Sequence, residues 1–181
     1  MKLHLVRHPQ PEAPQGLCYG ASDIAVPDAE LARVHAALHA AGLPGKLPVI
    51  ASPLQRCALL ARRIKPADLR FDARLAEMDF GSWELRAWDA IPRQEVDAWA
   101  ADLLHYRPGG GECVLDVARR VATFMNDLLQ AGHAEALLIG HAGTIRLLSA
   151  MQGGARLEQA ALDAARTPHR IGYGNIVTLE V

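Results

Sequence analysis

Two short apolar runs in this 181-residue chain end in histidine. Leu3-His4-Leu5-Val6-Arg7 leads to His8, and Ala136-Leu137-Leu138-Ile139-Gly140 leads to His141. A third run, Pro48-Val49-Ile50-Ala51, passes straight into a segment whose first helical turn carries Arg56. Neutral imidazole is a competent nucleophile toward phosphorus. The guanidinium groups of Arg7 and Arg56 suit the planar, spreading charge of a transferring phosphoryl group, because their N–H groups form a fixed fork. The second imidazole, His141, and the backbone N–H groups of Ala142 and Gly143 would add donors at a helix N-terminus, where anions are favoured. Such a set requires no metal, but it does require a carboxylic acid to protonate a leaving alkoxide.

These residues can act together only if the fold carries them to one rim. Residues 2–7 alternate and are rich in Leu and Val, which predicts a strand ending at His8-Pro9. Pro9, Pro11 and Pro14 then exclude a helix up to about residue 27. From Asp28 the spacing of Leu31, Val34 and Leu38 predicts a helix, with Gly42 as its stop. Residues 48–51 read as a buried strand. Ser52 as N-cap and Pro53 in the first helical position open a helix that ends before Pro66. Residues 69–75 read as a returning strand. Val114, Val117, Val121, Phe124 and Leu128 predict a long helix ending at Gly132, followed by a strand over 135–140. A helix from Ala142 through about Met151 and a closing strand over 175–181 complete the chain. This alternation predicts an α/β protein, a three-layer α/β/α arrangement with a mostly parallel central sheet. The irregular segment around 76–111 would form a small cap at one end. Ligands of such sheets bind beyond the carboxyl ends of the strands, where the histidines fall. Length and continuity predict a single domain over residues 1–181.

Composition narrows the function classes. Half the residues are hydrophobic and 22% are charged, enough apolar material for a core, which excludes a disordered chain. A net charge of −1 gives no overall field toward nucleic acid or an anionic membrane, so neither is an expected partner. Arginine supplies nearly all the basic residues, which still allows a local cationic pocket. Cys18, Cys57 and Cys113 are odd in number and widely spaced, unlike a disulfide framework or a zinc cage. His4 and Arg7 break the N-terminal apolar run, too short for a signal-peptide core, and no stretch approaches the roughly 20 residues of a membrane span. A reduced, cytoplasmic protein is expected. His35 and His39 have a spacing that can bind a metal but no third ligand, so they read as a solvated face and no metal or cofactor is expected. His4 reads as a hydrogen-bonded interior group, and Arg62-Arg63 and Arg119-Arg120 as solvated helix faces. Trp83, Trp88 and Trp99 either line a pocket for an aromatic leaving group or pack a thin cap.

Five ordered blocks carry a resemblance. They are Leu5-Val6-Arg7-His8, Ser52-Pro53-Leu54-Gln55-Arg56, the run from Leu75 to Glu84 that includes Glu77, Pro108-Gly109-Gly110-Gly111-Glu112, and the run Gly140-His141-Ala142-Gly143-Thr144-Ile145-Arg146. Together they resemble the histidine phosphatase superfamily, the phosphoglycerate-mutase-like proteins, over essentially the whole chain. The resemblance implies that His8 becomes phosphorylated, that Arg7 and Arg56 bind the phosphate, and that His141 is the second histidine of the pocket. It implies that Glu77 protonates the leaving group and later activates water. The chain departs from the usual pattern in three places. Pro9-Gln10-Pro11 stands where glycine, an acid and a small hydroxyl residue usually follow. Leu85 stands where glycine commonly follows Trp-Glu, and Cys113 where serine follows the glycine-rich block. A phosphate-contacting asparagine has no counterpart, with Ser22 as the substitute, and Trp83 is a further candidate for substrate contact. The runs from Cys18 to Asp23, Asp79 to Glu84 and Trp88-Asp89 look most like the α-ribazole phosphatase branch. The implied function is a metal-independent phosphomonoesterase acting through phosphohistidine on a small phosphorylated metabolite, with α-ribazole 5'-phosphate of cobalamin biosynthesis as a candidate. The alternatives are a phosphoglycerate mutase, or a non-catalytic phospho-ligand binding protein with the same pocket. Nothing in the sequence speaks to oligomeric state.

Overall fold

The computed structural model describes residues 1–43, 47–168 and 170–181. Five strands form one sheet: β1 (Lys2–Arg7), β2 (Val49–Ala51), β3 (Leu69–Phe71), β4 (Glu135–Gly140) and β5 (Ile176–Glu180). Their order is β3-β2-β4-β1-β5, and every neighbouring pair is parallel except β1 with β5. Six α-helices follow the chain: α1 (Asp28–Ala40), α2 (Gln55–Ile64), α3 (Arg93–Ala101), α4 (Val114–Gln130), α5 (Ala142–Met151) and α6 (Leu157–Arg166).

Side chains alternate across a strand, and the sequence exploits both faces. Leu3, Leu5, Ala136 and Leu138 pack with Val117, Val121 and Phe124 of α4, Ile145 and Leu148 of α5, and Ala161 and Ala164 of α6. Val6, Val49, Leu137 and Ile139 face the other way, onto Leu31, Val34 and Leu38 of α1 and Cys57, Leu60 and Ala61 of α2. The three-layer α/β/α reading therefore describes the structure. No helix among the described residues is long and apolar enough to cross a membrane.

Three local expectations are corrected. Helix α2 begins at Gln55 with Leu54 as its N-cap, two residues later than the expected Ser52-Pro53 start. The Ser52 side chain is drawn inward instead, to His141. The strand over 69–75 stops at Phe71, because the Asp72 carboxylate accepts a hydrogen bond from the Arg74 N–H (2.9 Å) and caps a single 3-10 turn. Helix α6 lies in a stretch where no element was expected. Its buried stripe is Ala160, Ala161 and Ala164, small side chains that pack closely but give little hydrophobic periodicity to read.

The segment 76–111 does sit over one end of the sheet, with a core of its own. Trp83, Ile91 and Cys18 are buried together, with Phe80, Val96, Trp99 and Tyr106 against them. The glycine-rich block docks on this cap backbone to backbone. Gly109 has φ +58°, and a Cβ there would lie 2.3 Å from the Phe80 carbonyl oxygen. Only glycine satisfies both conditions.

Candidate active site

Strand register brings the expected residues together. Arg7 pairs with Gly140 and Ala51 with Ile139, so β1, β4 and β2 end side by side. Pairing continues one step further: His8 N–H donates to the Gly140 carbonyl (3.0 Å) and Ser52 N–H to the Ile139 carbonyl (3.0 Å). His8 and His141 therefore leave the sheet at one level, their ring centroids 5.0 Å apart.

Each imidazole has its tautomer set by a neighbour. His8 Nδ1 donates to the Pro9 carbonyl (2.7 Å), which leaves the Nε2 lone pair for attack. Burial, then the charges of Arg56 and Arg7, lower the His8 pKa to about 3, so the ring is neutral across the physiological range. His141 Nδ1 accepts from Arg56 Nε (3.3 Å), so Nε2 carries the proton and donates to Ser52 Oγ (2.9 Å). Burial, followed by His8 and Arg56, lowers its pKa well below the ordinary value.

These shifts have a consequence for stability. An unfolded histidine titrates near 6.5, so between that value and about pH 3 the unfolded chain binds more protons at position 8 than the folded one. The contribution is present above pH 6.5 and is lost as pH falls toward 3, with His141 acting in the same direction. The melting temperature is expected to drop between pH 7 and pH 4, with a shallower slope in His8→Asn. An equal slope in the variant, read by calorimetry, would contradict this.

Arg56 is fully buried. Its Nη1 donates to the Ser22 carbonyl (2.7 Å) and its Nη2 to the Gly20 carbonyl. The loop carrying those carbonyls is held by Glu84, whose carboxylate accepts from the N–H groups of Gly20 (3.0 Å), Ala21 (2.9 Å) and Ser22 (3.2 Å), from Ser22 Oγ (2.5 Å) and from Phe80 N–H (3.0 Å). Burial pushes the Glu84 pKa up, but the Ser22 hydroxyl and these N–H groups outweigh it and hold the pKa below the usual carboxylate value. Arg7 lies 3.9 Å from the Tyr173 ring centroid, and its Nη1 donates to the Ile171 carbonyl (2.6 Å). Arg56 lies 5.6 Å from the Tyr19 ring, and the two tyrosine hydroxyls share a hydrogen bond of 2.9 Å. One aromatic ring thus backs each arginine, and the rings brace one another.

Glu77 enters from the cap side. Its Oε2 accepts from Gly143 N–H (3.1 Å) at the start of α5, and its Oε1 from Met78 N–H (3.1 Å). The Gly143 donor expected for phosphate is therefore engaged by Glu77. A Cβ at position 143 would lie 2.3 Å from Glu77 Oε1, so glycine is what lets the carboxylate approach. Arg120 positions the Glu77 segment. It donates to the carbonyls of Arg74 (2.7 Å), Ala76 (2.7 Å) and Glu77 (3.2 Å), and pairs with Glu112 at 2.8 and 2.9 Å. The solvated face expected for Arg120 is thus a clamp, its side chain only 19% exposed.

A cavity of about 330 Å³ joins these groups. Arg7, His8, Arg56, Glu77, His141 and Ala142 line one end; Phe80, Trp88, Trp99 and Leu103 line the other. Trp88 and Trp99 lie parallel, 5° apart in plane, with centroids at 6.1 Å. Two expected contacts are not among the lining residues. The Ser22 hydroxyl is given to Glu84, and Trp83 is fully buried with its Nε1 donating to Glu95 (2.7 Å). Of the three tryptophans, one packs the cap and two face the cavity. Burial raises the thiol pKa of Cys18 to about 12 and of Cys57 higher still, so neither is a thiolate. His4 is an interior group bonded to Thr178 (3.1 Å) and Glu135 (2.7 Å). No group of three or more His, Cys, Asp or Glu among the described residues is placed to hold a metal ion.

Comparison with known proteins follows the same lines. A sequence model of the histidine phosphatase superfamily, branch 1, matches residues 3–167. The adenosylcobalamin/alpha-ribazole phosphatase of Escherichia coli is 30% identical over 161 residues, covering 83% of this chain and 78% of the relative. The crystal structure of the alpha-ribazole phosphatase from Shigella flexneri is similar with a TM-score of 0.83 at 25% identity, over all of this chain and 91% of that one. A mycobacterial glucosyl-3-phosphoglycerate phosphatase shares the fold with a TM-score of 0.76 at 24% identity, over 99% of this chain and 89% of that one.

Proposed function

The chain belongs to the histidine phosphatase superfamily, branch 1, and is a phosphatase; from there we propose that it hydrolyses a small phosphorylated metabolite through a phosphohistidine on His8, without a metal. The observation that carries this reading is the pairing of a neutral, tautomer-fixed His8 with two arginines, a second histidine and Glu77 around one cavity. His8 Nε2 attacks phosphorus in line, and the ester P–O bond breaks as Glu77, in its acid form, gives its proton to the departing oxygen. Arg7, Arg56 and the Ala142 N–H hold the equatorial oxygens, while His141, both of whose nitrogens are engaged, orients Arg56 through Nδ1 instead of binding the phosphate itself; preorganised donors of this kind are each worth ~3 kcal/mol of barrier. Glu77, now a carboxylate, takes a proton from water as that water attacks phosphorus and the P–N bond breaks. Phosphate leaves, and His8 and Glu77 return to their starting forms. The two guanidinium groups supply the positive charge that a metal supplies in other phosphatases.

The substrate placed first is α-ribazole 5'-phosphate, in the cytoplasm. Support comes from the relatives' named activity and from the apolar end of the cavity, where Trp88, Trp99 and Phe80 offer faces to an aromatic leaving group. A panel of nucleotide, sugar and cobalamin-pathway phosphates, ranked by kcat/KM in the presence of chelator, tests it. The expected result is phosphate release with α-ribazole 5'-phosphate at the head. Isomer formation from 3-phosphoglycerate with a trace of bisphosphoglycerate would instead indicate a mutase. Vanadate binding with no release from any ester would indicate a binding protein.

A further inference from the structure

Three side-chain nitrogens among the described residues are buried without a hydrogen-bond partner: Arg7 Nε, Trp99 Nε1 and Arg146 Nε. All three belong to residues that line the cavity. A buried donor left unpaired costs about 1–3 kcal/mol, so three on one cavity point to acceptors carried by what enters it. Arg7 is accounted for by the phosphoryl group. Arg146 is not.

Arg146 stands one turn along α5 from Ala142 and three residues from Gly143, so it shares the helix face that lines the cavity. Its Nη2 donates to the Thr167 carbonyl, which anchors the guanidinium while Nε stays unpaired. It makes no ion pair among the described residues. Gly143, three residues before Arg146 on that face, donates its N–H to Glu77 Oε2 (3.1 Å), so Arg146 lies on the side of the acid, where the leaving oxygen departs, and Trp99 is part of the same cavity's apolar lining.

We propose that Arg146 is a specificity-determining residue that donates a hydrogen bond to an oxygen acceptor, hydroxyl or carboxylate, carried on the leaving alcohol near the ester oxygen. This rests on the phosphatase reading above and adds the class of leaving group: a polar-shouldered alcohol rather than a plain alkyl or aryl one. A site built to bond a substrate oxygen discriminates strongly against an analogue lacking it, because its own donor is then left unpaired.

The test compares D-ribose 5-phosphate, 3-phosphoglycerate and n-pentyl phosphate. Ribose 5-phosphate and n-pentyl phosphate leave as primary alkoxides and make the same demand on Glu77, but only the sugar carries neighbouring hydroxyls. In Arg146→Met the kcat/KM ratio of ribose 5-phosphate to n-pentyl phosphate is expected to fall about 30-fold, mainly through KM, as loss of a charged hydrogen bond would give. Arg146→Lys should recover part of that ratio. A fall confined to 3-phosphoglycerate would assign the acceptor as carboxylate. A loss shared equally by all three esters would mean that Arg146 acts through Glu77 or the fold, and no loss would mean that it touches nothing; either result overturns the assignment and leaves the phosphatase reading standing. Failure of the wild-type chain to release phosphate from these three and from α-ribazole 5'-phosphate would instead remove the parent reading, and the assignment with it; turnover of α-ribazole 5'-phosphate alone, undiminished in Arg146→Met, would overturn the assignment only.

Discussion

Replacing His8 with alanine is expected to abolish turnover, lowering kcat by on the order of 10⁴-fold or more, as for other covalent nucleophiles. No other group at that end of the cavity can take its place. His141 Nδ1 is held by Arg56 and its Nε2 by Ser52, so neither nitrogen is free to attack. The thiols of Cys57, beside His141, and of Cys18, in the cap, are held in the protonated form by burial. The measurement is rapid quenching of enzyme with labelled substrate, which should leave acid-labile label on the wild-type chain and none on the variant. Full activity in His8→Ala, or label on another residue, would end the phosphohistidine mechanism.

Glu77→Gln should separate the two chemical steps. The amide preserves the shape of the side chain and can still accept from Gly143 N–H, but it can neither donate the proton to an alkoxide nor take one from water. For alkyl esters the first step should slow by roughly 10²–10⁴-fold, the range for loss of a general acid. For 2,4-dinitrophenyl phosphate, whose leaving group needs no proton, the first step should be nearly unaffected. Stopped-flow traces should then show a burst of one equivalent of dinitrophenolate per enzyme, followed by slow hydrolysis of the phosphoenzyme. An equal loss for both esters in the burst phase would show that Glu77 is not the acid of the first step.

The parts of the site that were legible in the sequence share a physical reason. His8 and His141 close apolar strands, and the parallel pairing of β1 with β4 aligns their ends, so strand order alone brings them together. Arg56 was legible for a similar reason, although its helix starts at Gln55. Glu77 follows no strand; it lies in the irregular stretch after a 3-10 turn and was legible only through the resemblance. What remained hidden depends on side-chain direction across long sequence separations. Arg120 and Arg119 are adjacent on α4, yet Arg120 turns inward to three carbonyls while Arg119 lies 61% exposed. Tyr19 and Tyr173 meet across 154 positions, and nothing local marks either. Ser22 was sought as a phosphate contact and proves to be a ligand of Glu84, because a carboxylate collecting three consecutive N–H groups takes the neighbouring hydroxyl as well.

The proline after the nucleophile now has a simple meaning. Position 9 contributes a carbonyl oxygen to the His8 ring, and every amino acid and imino acid carries one, so the exchange of glycine for proline keeps the contact. What changes is freedom. The pyrrolidine ring fixes φ near −65°, so the oxygen that orients the imidazole swings through a narrower arc than it would from glycine. The entropy of ordering the reacting nitrogen is therefore surrendered once, as the chain folds, and is not demanded again each time a phosphate ester arrives.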